Sequence, residues 1–398
     1  MIKYGARWSA SVVLSAALLT GGLVACKPAD SGLTQPAHGT ASPTGSQLPR
    51  TPAGAATTPP AVTAVPSPTA TRGAQAPAVT QTLPALPAGG AGMPVIPSAP
   101  APLRTVRVST AQQLTAALAA AQPGDLIALA DGQYSGHFVA DRPATAKAPI
   151  TVRGSRNAVI DGGSIDSGYS FHLDNADYWR LEGFTIQSGQ KGVMTDQTNG
   201  AVISGLLVRN VGDEAIHLRN FSTDNFVVGC VVSGTGRKEP GFGEGIYIGT
   251  AKSNWEKFSG GKPDNSDRNK IIGNTISGVT AEAVDIKEAT TGGVLGNNTF
   301  NGSAITGANS ADSWVDVKGN DWLIEGNTGV DSPKDGIQTH VIIDGWGTGN
   351  IITGNKLDVD GPGFGVSIDK PSNTANIVSC TNIVIAAADG LFNVPCVK

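Results

Sequence analysis

Cysteine is scarce, with four in 398 residues. None sits in a CxxC pair or at ligand spacing from a histidine, which excludes the usual zinc sites. Positive charge is short as well. Lys and Arg number 28 against 32 Asp and Glu, a net charge of −4. That excludes a nucleic-acid binder working through bulk positive charge. No apolar run is long enough for a spanning helix, and the stretch Val12 to Val24 ends too soon. Aromatics are 5% of the chain, and residues 27–104 contain no Trp or Tyr. That window carries few charges and holds 16 of the 25 prolines. It cannot bury a core. The remaining residues, 105–398, are long enough for one large domain.

The N-terminus reads as an export segment. Lys3 and Arg7 precede the apolar stretch, which ends Leu23-Val24-Ala25-Cys26. Those four residues resemble the lipobox of bacterial lipoproteins. The resemblance implies a signal peptide at 1–25, cleavage before Cys26 and lipidation of its sulfur. It also implies a place in the bacterial cell envelope, on the outer membrane where the host has one. The membrane would then be touched through the lipid anchor alone. Residues 26–104, rich in Pro, Ala and Thr, follow as a disordered tether. In an exported chain, Cys380 and Cys396 are close enough in sequence to form a disulfide. Cys230 lies in an apolar strand pattern and reads as a buried thiol.

Internal repetition governs the rest. Short strands recur as Phe171-His172-Leu173, Val193-Met194-Thr195, Ile216-His217-Leu218, Ile246-Tyr247-Ile248 and Val284-Asp285-Ile286. The series continues as Val315-Asp316-Val317, Ile337-Gln338-Thr339 and Val366-Ser367-Ile368. The steps run from 22 to 38 residues. A second series carries Gly-Asn at a fixed place, a turn needing left-handed backbone whose Asn side chains can bond along a stack. Short strands at this period, without helices between them, predict an all-β, right-handed, single-stranded parallel β-helix. The missing Leu ladder excludes leucine-rich repeats. The longer steps are loops inserted at a corner, the largest being 250–269.

The domain's beginning adds a short capping helix. Ser109 is the expected cap, with Leu114 and Leu118 on the buried face of a helix reaching about Ala121. Pro123-Gly124-Asp125-Leu126-Ile127, Asp131-Gly132-Gln133-Tyr134 and Val159-Ile160-Asp161-Gly162-Gly163 follow. This stretch resembles the N-terminal cap and first rung of the pectate-lyase-like superfamily. It is most similar to polysaccharide lyase family six, the chondroitinase B and alginate lyase group. The fold also hosts hydrolases, epimerases and inert binders.

Alternation turns the middle residue of each strand outward, and stacking aligns those residues in columns. One column reads His172, Met194, His217, Tyr247, Asp285, Asp316, Gln338, Ser367. The next includes Asp196, Arg219, Lys287, Lys318 and His340. A third holds Glu214, Glu244, Glu282, Ser313 and Asp335. Carboxylates, cations, His and Tyr thus share one face. The resemblance places Glu282 at a calcium ion and Lys287 as catalytic base. Lys318 falls where the family has its catalytic Arg, a departure that leaves the proton donor open. β-Elimination from a uronate needs a cation on the carboxylate, a base, and an acid at the leaving oxygen. Glu244, Glu282, Asp285 and Asp316 are the candidate calcium ligands. Lys287 can serve as base if Lys318 and Arg219 depress its pKa. Lys318, His217, His340 or Tyr247 can protonate or polarise. Arg219 and His340 face an anionic chain, and Trp255, Trp314 and Trp346 are candidates for stacking on sugars.

The expected function is a surface-tethered lyase of an anionic, uronate-containing polysaccharide, acting as a monomer and without nucleic acid. Two alternatives stay open. One is a β-helical glycoside hydrolase using Asp285 and Asp316. The other is a tethered module that binds glycan without catalysis.

Overall fold

The computed structural model describes residues 93–398. The signal segment, Cys26 and the Pro-rich stretch up to residue 92 lie outside the described residues. The chain winds as a parallel β-solenoid. Three sheets of 11, 10 and 10 strands run its length, and every strand pairing between turns is parallel. The inner faces bury one continuous apolar core of Ile, Val, Leu and Phe.

The domain starts one residue before the expected boundary, with a strand at Arg104–Val108. The last part of the expected tether, 93–103, is laid along the eleven-stranded sheet. Met93 sits directly over Gly296. The Pro97 carbonyl accepts from Arg180 Nη1 at 2.9 Å. Leu103 donates its N–H to Gly124 at 2.8 Å. The capping helix spans Ala111–Ala119 and buries Leu114 and Leu118. Its cap is Thr110, not Ser109: Thr110 Oγ1 accepts from Gln113 N at 3.2 Å, while Ser109 bonds the Gln113 side chain. One more residue of extended backbone before the helix moves the capping position along by one.

The Gly-Asn turns form the ladder that their spacing suggests. Gly273, Gly326 and Gly354 have φ between 64° and 69°, where a Cβ would be strained. Each following Asn is buried; Asn274 Oδ1 accepts from Cys230 N, and each later Oδ1 accepts from the Asn one turn earlier. The chain runs Asn274, Asn298, Asn327, Asn355, Asn382 with bonds of 2.9–3.0 Å. Cys230 is buried and free, and burial pushes its thiol up to about 11. Cys380 and Cys396 are joined, with Cα atoms 5.0 Å apart.

Candidate active site

The site lies on one ten-stranded sheet. Its strands include Tyr169–Asp174, Lys191–Asp196, Ile216–Arg219, Ile246–Ile248, Val284–Ile286, Ser313–Val317 and Asp335–Thr339. Pairing aligns His172, Met194, His217, Tyr247, Asp285, Asp316 and Gln338 without a bulge. The column therefore stands as the alternation implies. Its members are nevertheless crowded: His217, Asp285 and Asp316 are all buried.

At the centre, Lys318 Nζ donates to Asp285 at 2.9 Å and also pairs with Asp316. Lys287 pairs with the other Asp285 oxygen, and its ammonium lies 4.8 Å from the Tyr247 ring centroid. Burial alone would lower both lysines. The carboxylates outweigh it, Asp285 foremost, and hold both above the ordinary lysine range. This corrects the expectation that Lys318 and Arg219 depress Lys287. The dominant neighbour is Asp285, two positions earlier on the same face. Burial would raise Asp285, but the two lysines hold it below the usual carboxylate range.

Glu244 and Glu282 have no such cation. Burial, then repulsion from Glu214, Asp285 and Glu282, raises Glu244 far above a normal carboxyl. Burial, then Asp285 and Asp316, pushes Glu282 up to about 8. One oxygen each from Glu244, Glu282 and Asp285 lies within 4.8 Å of the others. Glu244 Oε2 is buried and has no hydrogen-bond partner. An all-carboxylate set with an orphaned oxygen fits a hard cation, so this triad can hold a metal ion. Asp316, the fourth expected ligand, is not in the triad; it pairs with Lys318 one rung further along.

His217 packs against Tyr247, ring centroids 4.3 Å apart. Its Nε2 bonds the Gly249 carbonyl at 2.9 Å. Nδ1 lies 3.4 Å from Glu214 Oε1 without making a hydrogen bond. Both nitrogens are thus turned to protein, and burial lowers the ring's pKa. His217 supports Tyr247 rather than meeting substrate, contrary to a direct acid role. Tyr247 is pushed well above 10, by burial first and then by Asp285, Glu244 and Glu214, so the phenol stays protonated. Its hydroxyl has no protein partner among the described residues.

The expected binding residues separate. A fork of two bonds, 2.9 and 3.2 Å, ties Arg219 to Asp196. Tyr169 Oη lies 3.1 Å away, and the Phe258 ring 4.0 Å from the guanidinium. His340 is half-exposed, with Nε2 2.8 Å from Gln338 Oε1 and 3.2 Å from Asp316. Trp255, at the start of the short helix Trp255–Phe258, and Trp346, in a loop, are half-buried, and no contact among the described residues brings them onto the central cluster. Trp314 is fully buried and is not a sugar platform. Its strand slot is Ser170, Gly192, Ala215, Gly245, Ala283, Gly336 or Gly365 on the rungs from Tyr169–Asp174 to Phe364–Ile368. Here the indole fills the space that Gly302, Gly329 and Gly336 leave, and its N–H reaches the Val330 carbonyl at 3.0 Å.

Some functional neighbours were missed from sequence. Lys191 pairs with Glu214; extending the third column by one rung would have found it. Tyr169 joins Asp196, already in the column of Arg219, in holding that guanidinium, and Phe258 comes from the corner insertion, which no period predicts.

No family model matches the chain, and no curated protein does. Solved structures do. An alginate lyase from Paenibacillus sp. str. FPU-7 is 38% identical, with 74% of this chain and 99% of that one covered and a TM-score of 0.68. The chain belongs to this family of polysaccharide lyases. Pectate lyase Pel9A matches at 15% identity over 75% of this chain and 78% of its own, with a TM-score of 0.55. That likeness shows the shared fold. A mannuronic acid specific family 6 lyase from human gut microbiota matches at 13% identity over 71% and 82%, with a TM-score of 0.39. A likeness of that size carries no argument. Asp285 and Asp316, the two carboxylates of the hydrolase alternative, share one ammonium, Lys318.

Proposed function

We propose that this lyase cleaves alginate, or a polymer of the same uronate chemistry, by β-elimination. What carries the proposal is the 38% identity to an alginate lyase over nearly all of that protein. The site supplies the roles. Lys318, held cationic by two carboxylates, binds and neutralises the substrate carboxylate, which acidifies the adjacent C–H. Lys287 is the base that removes that proton. The electron pair forms the new C=C bond and expels the glycosidic oxygen. Tyr247, still carrying its proton, gives it to that oxygen. His217 packs behind the Tyr247 ring. Arg219 and His340 meet carboxylates of neighbouring sugars.

Glu244, Glu282 and Asp285 would hold calcium. Bound there, it would supply positive charge beside the substrate carboxylate and satisfy the two glutamates that have no lysine. The proposal also places the lyase in the bacterial cell envelope as a monomer. Lipidated Cys26 would be its only membrane contact and an anionic polysaccharide, not nucleic acid, its partner. The Leu23-Val24-Ala25-Cys26 pattern and the net charge of −4 support this part.

The test is incubation of the protein with alginate, pectin and glycosaminoglycan, with calcium and with chelator. The ultraviolet absorbance of unsaturated uronate is followed. A calcium-dependent rise on alginate that disappears in Lys287→Ala supports the proposal. Release of reducing ends without that absorbance would overturn it in favour of hydrolysis. No turnover on any acidic polymer would leave the tethered binding module.

A further inference from the structure

A second concavity lies off the site sheet, at the corner where the chain passes into the eleven-stranded sheet. Its volume is about 340 Å³, inside the range of roughly 300–1,000 Å³ for small-ligand pockets. Pro97 and Ser98 of the N-terminal strap form one wall, and Tyr178 and Gly200 another. Arg180, Val202, Phe226 and Lys270 stand side by side on successive strands as the floor.

The polar groups of this pocket are unevenly used. Arg180 is only 8% exposed. It donates Nε to Glu182 at 2.7 Å and Nη1 to the Pro97 carbonyl at 2.9 Å. The rest of its five-donor fork has no protein acceptor among the described residues. Lys270 gives one bond, to Asp224 at 3.2 Å, and its ammonium lies 5.3 Å from the Phe226 ring centroid. The Tyr178 hydroxyl bonds nothing described. The acceptors, by contrast, are occupied: Asp224 takes Arg268 as well as Lys270, and Asn199 Oδ1 takes the Thr223 N–H. Spare donors around an apolar floor suit a carboxylate carried on a compact ring.

Tyr178 adds an independent sign. Its φ is 57°, a left-handed conformation that is costly for an aromatic residue and that concentrates at ligand sites. The ring rests on Gly200, where a Cβ would fall 2.6 Å from it. The strain holds a ring that is 37% exposed at the rim of the pocket.

We infer that this pocket is a second sugar site. It takes one uronate unit, with the carboxylate on Arg180, the ring on Val202 and Phe226 beside Tyr178, and Lys270 at the far end of the floor. It lies on a different sheet from Lys287 and uses none of the lyase chemistry.

The test is titration of the methyl-labelled full chain with sodium mannuronate, read at the Val202 methyl signals. Saturable shifts are expected with mannuronate, and none with mannose or with acetate at equal concentration. Ala146→Trp, an exposed substitution that fills the mouth, should weaken binding at least tenfold while polymer cleavage stays unchanged. Arg180→Gln should weaken it similarly. Val202 signals unmoved by mannuronate, moved equally by acetate, or still moved in Ala146→Trp would each overturn the inference. The readout does not depend on turnover. Failure here therefore leaves the lyase proposal standing, and an inactive enzyme leaves this inference standing.

Discussion

Asp285 decides the protonation of the groups around it. It sits between Lys287 and Lys318, and its charge keeps both amines positive despite burial. A base held this way works from its minor neutral fraction. The lyase's kcat/KM is therefore expected to rise about tenfold per unit from about pH 6 to about pH 9, without a neutral plateau. The sign of the linkage separates this from unfolding. A lysine raised above its unfolded value contributes stability that is full below that value, about 10.4, and is lost only as pH climbs through the higher folded one. Lys287 thus leaves stability flat across the range where the rate changes. Glu282, pushed up to about 8, makes stability fall as pH rises toward that value. The check is therefore a melt series of the protein beside one of Lys287→Ala, whose pH slopes should differ little; a flat rate profile would remove Lys287 as base. Lys287→Ala and Tyr247→Phe should each lower kcat by about 10²-fold or more. Melting should be lowered in Lys287→Ala, which leaves buried Asp285 with one cation fewer, and little changed in Tyr247→Phe. Trp314→Ala should behave oppositely. Filling three glycine gaps, it should cost about 3–5 kcal/mol of stability in denaturant titration, while KM of the folded enzyme stays the same.

At the scale of elements, the ladders explain both what was legible and what was not. Period-two alternation placed His217, Tyr247, Asp285 and Asp316 in one column because the inward face admits no slip of register. The Gly-Asn turns were legible for the same reason, since each repeat needs a left-handed residue and then a side chain to bond the turn before it. Asn298 shows the strength of that device. It accepts from both the backbone N–H and the side chain of Asn274, and donates to the Ile271 carbonyl. Asn298→Ala strands those buried groups and should cost about 1–3 kcal/mol for each left unpaired. A lower urea midpoint at constant slope would show it. Trp314 was misplaced because two consecutive residues turn inward where the strand enters the sheet, which breaks alternation. The insertion 250–269 was opaque because it obeys no period. Buried Asp264 closes it by accepting from Asn220 N, Phe221 N and Thr250 Oγ1 at 2.6–2.7 Å. That brings Phe258 onto Arg219. Phe258→Ala should raise KM for polymer several-fold and leave kcat within about twofold, because it loosens a binding cation and touches no reacting atom. An equal fall in kcat would place Arg219 in the chemistry itself.

On the scale of the whole molecule, a solenoid is nearly one-dimensional, and each turn is stabilised mainly by its two neighbours. Loss of one end therefore need not reach the middle. The C-terminal turn is closed by Cys380–Cys396, 16 residues apart, a loop of a length worth about 3 kcal/mol when crosslinked. On the site sheet, the strand of Lys287 stands four pairings from the last strand, Gly390–Phe392, roughly 19 Å at ~4.8 Å per strand. Replacing both cysteines by serine should thus free amide exchange in residues 377–397 while residues 284–287 stay protected. Cleavage at moderate temperature should stay within about twofold. The buried ion cluster argues the same way, since a set of desolvated charges is a poor stabiliser and depends on the packed rungs on either side to hold it in place. If the serine variant loses activity together with its terminal protection, the turns behave as a single cooperative unit, and the C-terminal disulfide supports the catalytic rungs directly.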